Sequence, residues 1–316
     1  DAKNKEVKFK ELAEKLNKLR DSYPHLTQAL TLTESKEPHK SYLRLRGNYK
    51  NLGIEVHPGT PEFLGPQPAE NPTRMDLARW LVSSKNPLTA RVTVNRFWQE
   101  LFGTGIVKTS DDFGMQGDRP THPQLLDWLA SEFIENGWSM KKVQKIIVMS
   151  ATYRQTSTGR PDLESKDPAN TLLARQTRIR LPAELIRDEA LAVSGLLSPK
   201  IGGPSVRPFQ PDGVSELGYG AGVKWKESEG EDRYRRGLYI HFQRTTPYPL
   251  LANFDAPRGD VTVCARLRSD TPLQALNLLN DPVFLEAARA FAYRVRSEAP
   301  GDFESRLRYA YQLARS

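Results

Sequence analysis

The loop that ends at His122 carries the densest group of side chains that could do chemistry. Asp111, Asp112 and Asp118 lie in this loop, and hard cations such as calcium and magnesium take oxygen ligands of this kind. His122 and, further along the chain, His241 could supply nitrogen ligands to a softer metal. In the alternative interpretation, Asp112 caps a turn around Gly114 and His122 lies in the first turn of a helix, where neither residue needs a ligand.

A set of arginines beside glycine, proline or aromatic residues forms a second group. A guanidinium presents a planar fork of N–H donors that suits carboxylate, sulfate or phosphate. The competing interpretation is that these arginines form ion pairs with aspartates inside the protein and thereby hold the long loops in place. The set consists of Arg96, Arg154, Arg178, Arg180, Arg187, Arg236, Arg244, Arg258, Arg266 and Arg268.

Carboxylates that could work in pairs form a third group, because glycoside hydrolysis needs one carboxylate on either side of the scissile bond. Aspartates on amphipathic helices are more often solvated or paired with arginine, and Arg187 and Asp188 are predicted to form such a pair. The sequence gives no distance between carboxylates, so the hydrolase interpretation stays open. The candidates are Asp111, Asp112, Asp127, Glu184, Asp188 and Asp255.

We expect these groups to meet at one end of a helical body. Helices joined by short connections pack side by side, so the start of one lies near the end of the next. Turn-rich segments after residue 200 have few packing demands and are free to fold over that end. At least three of five residues are predicted to line one concave surface for an anionic ligand, such as a sulfated or uronic sugar. The five are Asp112, His122, Arg154, Asp255 and Arg266.

The elements that must position these residues are mainly helices. Apolar residues recur at intervals of three and four, which predicts amphipathic helices with one face in a core. The stripes are Val94, Phe97, Trp98 and Leu101; Leu125, Leu129 and Phe133; Met140, Val143 and Ile147; Ile186, Ala190, Val193 and Leu197; and Phe284, Ala287, Ala288 and Phe291. Asn86, Thr271 and Asp281 each precede a proline, as N-caps do, and Thr121 and Thr271 each fit a capping box.

The N-terminal part follows a different pattern. A charged helix is predicted over residues 3–19, and residues 27–32 and 41–46 alternate as strands do. The proline-rich stretch 65–72 marks the expected boundary between a domain over residues 1–70 and a mainly helical domain over residues 71–316.

Residues 199–268 lack the apolar spacing of three and four that predicts helices. Turns dominate there, with glycines at positions 202, 203, 218, 220 and 222. The one strand predicted in this part covers residues 236–243. Strands are thus expected largely within residues 27–60 and 234–245. The predicted fold class is mainly α (α+β): a helical body with long irregular loops and a small β-rich N-terminal segment.

Composition narrows the classes of function. The chain has 316 residues and a formal net charge of +8, but the bases are spread along it, so nucleic acid is not an expected partner. No apolar run approaches the roughly 18 residues of a membrane span. We take Asp1 as the start of a processed or excised fragment, since the chain opens on charged residues without a signal peptide. Cys264 is the single cysteine, so the chain has no CxxCH heme motif and no cofactor of its own is visible.

A series of motifs, in order from about Arg74 to beyond Glu286, resembles the bacterial family called domain of unknown function 1553. The matching segments are residues 86–98, 102–107, 111–114, 122–130, 150–155, 180–188, 201–206, 211–213, 254–257 and 271–282. Residues 27–64 are similar to the segment just upstream of that module.

The resemblance implies the C-terminal module of large exported proteins of Planctomycetes and Verrucomicrobia, in the periplasm or at the cell surface. A cytochrome-c-like domain usually precedes it, so heme c is expected only in an N-terminal domain missing from this chain. The family supplies no established catalytic residues.

We therefore expect a non-heme interaction or ligand-binding module of a cytochrome-linked multidomain protein. Its expected partners are upstream domains of the same polypeptide, or processed fragments of it, and an anionic polysaccharide. The alternative is an enzyme, either a glycan hydrolase or the substrate-binding half of a cytochrome-coupled carbohydrate oxidoreductase.

Overall fold

A computed structural model describes residues 2–23, 29–35, 39–65, 72–214 and 224–315. This described part is mainly α-helical with a two-stranded antiparallel sheet near the N-terminus, which confirms the predicted fold class. The chain divides after Asn86 into two compact units. None of the helices within the described ranges is long and apolar enough to cross a membrane.

The smaller unit contains α1 (Ala2–Ser22), β1 (Ser41–Arg44), β2 (Leu52–Val56) and α2 (Arg74–Leu81). The strand predicted over residues 41–46 ends at Arg44, because Arg46 turns into the left-handed region with φ of 52°.

Two other predictions for this unit fall partly on residues that the structure does not describe. Residues 29–32 of the strand predicted at 27–32 have no regular structure, and residues 27–28 lie outside the described ranges. Most of the proline-rich stretch at 65–72 also lies outside them, as do residues 218–222, so the predicted domain boundary stays a prediction.

The larger unit begins with a core formed by α3 (Thr89–Phe102), α4 (Pro123–Glu135) and α5 (Met140–Met149). The stripes predicted for these helices are confirmed at Val94, Leu129, Phe133, Val143 and Ile147, all of which are buried. Asn95 is also fully buried, and its side-chain amide bonds both backbone groups of Val107, at 2.8 and 3.0 Å. The loop after α3 is therefore held against the helix that precedes it.

A second core lies between α7 (Ala183–Ser194), α8 (Pro249–Asn253), α9 (Pro272–Asn280) and α10 (Pro282–Glu298). The short helix α6 (Pro161–Glu164) and the terminal helix α11 (Phe303–Arg315) complete the described α-helices. Ile186 and Ala190 of the stripe predicted for α7 pack against this core, but Ala183, Arg187 and Leu191 are the most buried residues of the helix. An arginine therefore occupies a core position that the apolar pattern could not indicate.

Two of the predicted helix caps are confirmed and two are wrong. Thr271 forms a capping box with Gln274, and Asp281 accepts a hydrogen bond from Val283 N–H. The cap position of α3 is Leu88 and not Asn86, and the cap position of α4 is His122 and not Thr121.

The strand predicted over residues 236–243 is wrong. Residues 237–239 form a 3-10 turn, and the neighbouring backbone makes two isolated bridges, Ser198 to Arg235 and Val206 to Ile240. Arg235 is fully buried and donates to the carbonyls of Lys200, Gly202 and Pro204. Ile240 is buried but Leu238 and Phe242 are exposed, so the apolar alternation of this segment does not mark a strand with one buried face.

Candidate functional site

The predicted cation-binding loop is closed by its own hydrogen bonds. Asp112 accepts from the backbone N–H of Gly114 at 2.7 Å, and Thr109 links Asp112 to Asp118. Asp112 therefore caps a turn, as in the alternative interpretation. Within the described residues, no group of three or more His, Cys, Asp and Glu side chains could hold a metal ion, and a metal at Asp111, Asp112 and Asp118 stays a prediction.

His122 and Arg154 lie at two helix ends of the first core. His122 occupies the cap position of α4, and its Nδ1 is 3.0 Å from the hydroxyl of Thr121. Arg154 is exposed in the turn that follows α5, where its backbone N–H bonds Ser150.

Asp255 holds together the loops beside the second core. It pairs with Arg180 and accepts hydrogen bonds from the backbone N–H and the hydroxyl of Ser269 at 2.8 Å. Its backbone has φ of 63°, a conformation that non-glycine residues seldom adopt outside special positions. Partial burial raises the pKa of Asp255, but the hydrogen bonds from Ser269 and the charge of Arg180 outweigh that effect and keep it below its ordinary value.

Arg266 is also held by a partner, the carboxylate of Glu184 at 2.7 Å. None of the hydrogen bonds and ion pairs among the described residues joins two of the five predicted site residues, and none of the five lines the cavities beside the second core. A concave surface shared by Asp112, His122, Arg154, Asp255 and Arg266 stays a prediction.

Most of the candidate catalytic carboxylates are engaged with cations. Asp127 pairs with Arg91 at 2.7 Å. The predicted pair of Arg187 and Asp188 is wrong, because neighbours on a helix point in different directions. Asp188 instead bonds Arg236 at 3.1 Å and the backbone N–H of Gly237 at 2.5 Å.

A cavity of about 460 Å³ lies between the segment after the 3-10 turn at 237–239 and the segment after α8. We call it the arginine cavity. It is lined by Phe242, Arg244, Thr245, Pro247, Tyr248, Leu251, Ala252, Ala256, Pro257, Arg258 and Asp260. Since Ala256 and Pro257 directly follow Asp255, the ionic network of that aspartate fixes one wall of the cavity.

Aromatic contacts fix another part of the lining. The ring of Tyr248 is buried and stacks on Trp225, with centroids 5.9 Å apart. Its hydroxyl donates to the carbonyl of Phe209 at 2.8 Å, and burial raises its pKa, so the group stays a neutral phenol. Gly259 lies directly against the ring of Phe242: a Cβ placed there would come within 2.6 Å of it. This close approach, with φ of 73°, requires glycine.

His241 stands next to these aromatic residues. Its Nδ1 is 3.2 Å from the hydroxyl of Ser205, and its ring centroid is 6.2 Å from that of Trp225. Burial and then the nearby charge of Arg207 lower the pKa of His241. The imidazole is therefore neutral at pH 7 and adds no charge beside the cavity.

The two cations of the arginine cavity differ from five other arginines of the set, which are held by carboxylates or carbonyls. Arg180, Arg187, Arg236, Arg266 and Arg268 are bound to carboxylates or carbonyls, as the loop-pinning interpretation predicts. Arg244 and Arg258, which line the cavity, are exposed and, like Arg154, have no ion-pair partner among the residues that the structure describes. Sequence reasoning included both in the arginine set but did not choose them, because their lack of a partner depends on the tertiary fold.

Comparison with known proteins identifies one family. A family model described as "PSD1: Protein of unknown function (DUF1553)" matches residues 73–316. No curated protein and no solved structure matches the chain. The match covers α2 and every element of the larger unit, including the arginine cavity.

Proposed function

We propose a function for this chain, which belongs to the DUF1553 family: it is a non-heme ligand-binding module that holds an anionic carbohydrate in the arginine cavity. The module is part of an exported, cytochrome-linked multidomain protein of the periplasm or cell surface. Its other partners are upstream domains of the same polypeptide or processed fragments of it.

The observation that carries this proposal is the combination of an aromatic wall with two cations that have no ion-pair partner among the described residues. A volume of about 460 Å³ falls within the roughly 300–1,000 Å³ of small-molecule sites. Arg244 and Arg258 suit the carboxylate or sulfate oxygens of a uronic or sulfated sugar, since guanidinium N–H groups bind such anions in a fork.

The remaining lining residues suit the uncharged parts of a sugar. The exposed ring of Phe242 offers an apolar face on which a sugar ring can pack. Asp260 and Thr245 can bond hydroxyl groups at the rim. The carboxylate of Asp260 also limits the negative charge that the ligand can carry, because it repels a second anionic group placed beside it.

Calorimetric titration tests the proposal. We expect a trimer of galacturonic acid to bind and a neutral glucose trimer of equal length to bind at least about tenfold more weakly, since a hydrogen bond to a charged group contributes roughly 1.5–3 kcal/mol. Arg244→Gln and Arg258→Gln should each weaken binding of the acidic trimer by a similar factor.

Arg289→Gln is the matched control, because Arg289 is exposed on α10 and does not line the cavity. It removes the same charge and should leave the affinity within about twofold of the unmodified protein, as expected for a screened surface charge. Equal losses in all three variants would show that only net charge matters and would contradict the proposal.

The enzyme alternative predicts a different outcome of the same titration. A hydrolase would shorten the acidic trimer, and chromatography of the titrated sample would reveal monomer and dimer. Hydrolysis needs a pair of carboxylates, and Asp260 is the carboxylate among the residues that line the cavity. Recovery of intact trimer after prolonged incubation would favour the binding module.

A further inference from the structure

A cavity of about 370 Å³ is lined by two loop segments of the larger unit, and we call it the loop cavity. Its lining residues come from within residues 157–159 and 168–178, and none of them lines the arginine cavity. The volume falls within the roughly 300–1,000 Å³ of small-molecule sites. The described residues that line it include two arginines, Arg175 and Arg178, and no carboxylate. The loop cavity is therefore more cationic than the arginine cavity, whose lining includes Asp260.

Hydrogen bonds to other lining residues place both guanidinium groups at this cavity. Nε of Arg178 donates to the hydroxyl of Ser157 at 3.3 Å. A terminal nitrogen of Arg175 donates to the carbonyl of Pro168 at 3.4 Å. Each contact engages one nitrogen of a group that carries five N–H donors. None of the ion pairs among the described residues includes either arginine, so both charges remain available to an anion.

The carboxylate next to the lining is used by the backbone. Asp167 is buried and accepts from the N–H groups of Thr171 and Leu172 at 2.7 and 2.8 Å. Asn170, also buried and with φ of 53°, donates to the carbonyl of Arg175 at 2.8 Å and accepts from its N–H at 3.3 Å. The loop is thus fixed by its own hydrogen bonds, and a ligand does not bear the cost of ordering this wall.

Further hydrogen bonds tie the two segments to each other. The backbone N–H of Gln176 donates to the carbonyl of Thr156 at 3.0 Å. The side-chain amide of Gln155 donates to the carbonyl of Leu173 at 2.8 Å. Both walls of the loop cavity are therefore held at a defined separation.

Two hydroxyl groups of the lining add neutral donors. Ser157 accepts from Arg178, and Thr177 accepts from the side-chain amide of Asn170 at 3.3 Å. Among the described residues neither hydroxyl donates to an acceptor. Each can therefore donate its own hydrogen to a ligand while it keeps the bond that it accepts.

We propose that the loop cavity binds the phosphate group of a phosphorylated small molecule. A phosphate monoester carries roughly −1.5 to −2 charges at pH 7 and three strong acceptor oxygens. Two guanidinium groups match that charge, and arginine binds phosphate oxygens through parallel N–H···O bonds. A sulfate ester has similar oxygens but less negative charge, so it suits two cations less well. This proposal does not rest on the function proposed for the arginine cavity.

Calorimetric titration at pH 8 with glucose 6-phosphate, glucose 6-sulfate and glucose tests the choice of ligand. Glucose 6-phosphate should bind. Glucose 6-sulfate should bind at least about fivefold more weakly, the Coulomb effect of one unit charge at about 4 Å in water, and glucose should not bind detectably. Equal affinity for the two esters, or no binding of glucose 6-phosphate, would overturn the proposal.

Substitutions test the two cations. Arg178→Gln and Arg175→Gln should each weaken binding of glucose 6-phosphate about tenfold, because each removes a charged donor. Arg178 is exposed and glutamine keeps an N–H donor for Ser157, so this variant should unfold at an unchanged temperature and decides the question if Arg175→Gln does not fold. Arg289→Gln is the matched control, since Arg289 is exposed on α10 and lines neither cavity. Unchanged affinity in Arg178→Gln, or an equal loss in Arg289→Gln, would contradict the proposal.

A crystal structure of the whole chain soaked with glucose 6-phosphate tests the location. The proposal predicts phosphate oxygens within about 3.2 Å of the guanidinium groups of Arg175 and Arg178. Phosphate in the arginine cavity, or on another surface with the loop cavity empty, would overturn it. Either result would leave the binding of the galacturonic acid trimer to be decided by its own titration.

Discussion

Replacing Asp255 with asparagine tests the network that fixes one wall of the arginine cavity. The side chain is 20% exposed, pairs with Arg180 and accepts from Ser269. Asparagine has nearly the same shape and tolerates φ of 63°, so the substitution removes mainly the charge. Hydrogen bonds to a charged group contribute roughly 1.5–3 kcal/mol and solvent screening reduces this, so we expect a loss of about 1–2 kcal/mol in the free energy of unfolding.

The pH dependence of that loss separates charge from shape. The pKa of Asp255 lies below its ordinary value of 3.8 in the folded protein. A carboxyl of this kind stabilises the fold above its unfolded pKa, and the contribution disappears as the pH falls through the folded pKa. The difference between the unmodified protein and Asp255→Asn should therefore be complete at pH 7 and shrink below about pH 4.

Urea denaturation followed by tryptophan fluorescence measures both quantities, with Asp111→Asn as the control. Asp111 is exposed, so its substitution should change the free energy of unfolding by less than about 0.5 kcal/mol. A loss in Asp255→Asn below that value, or one that persists undiminished at pH 3, would refute the assigned role of the carboxylate.

Three further substitutions test the packing of the larger unit. Leu129→Ala should cost about 2–5 kcal/mol in urea denaturation, because Leu129 is 1% exposed in the first core; a change below half a kcal/mol would show that the residue is not in a core. Asn95→Ala should cost about 2–4 kcal/mol, because it leaves both backbone groups of Val107 unpaired, and hydrogen exchange should speed up at that loop. Gly259→Ala should lower the affinity for the acidic trimer in calorimetry, because the added methyl group displaces Phe242; unchanged affinity would place the ligand elsewhere.

The helices were predictable because their signals are local. Apolar spacing located α3, α4 and α5, and the capping box at Thr271 marked the start of α9. The pattern was wrong where tertiary contacts override it. Within residues 236–243 Ile240 is buried but Leu238 and Phe242 are exposed, because a 3-10 turn at 237–239 takes the place of the predicted strand. Apolar alternation predicts which face a strand would bury, and it does not record which groups take the backbone hydrogen bonds.

The candidate site was less predictable for the same reason. Sequence reasoning favoured Asp255 and Arg266 for their residue types, yet the structure gives each a partner, Arg180 and Glu184. Arg244 could not be distinguished from those arginines, because it differs only in lacking a partner. Such pairings join residues about 75 to 82 positions apart in the chain, so only the folded arrangement reveals them.

A crystal structure of the protein with a trimer of galacturonic acid tests the central claim most directly. The account predicts density in the arginine cavity, with carboxylate oxygens within about 3.2 Å of the guanidinium groups of Arg244 and Arg258 and a sugar ring against Phe242. Sugar bound at another surface, with both arginines still facing solvent, would contradict it.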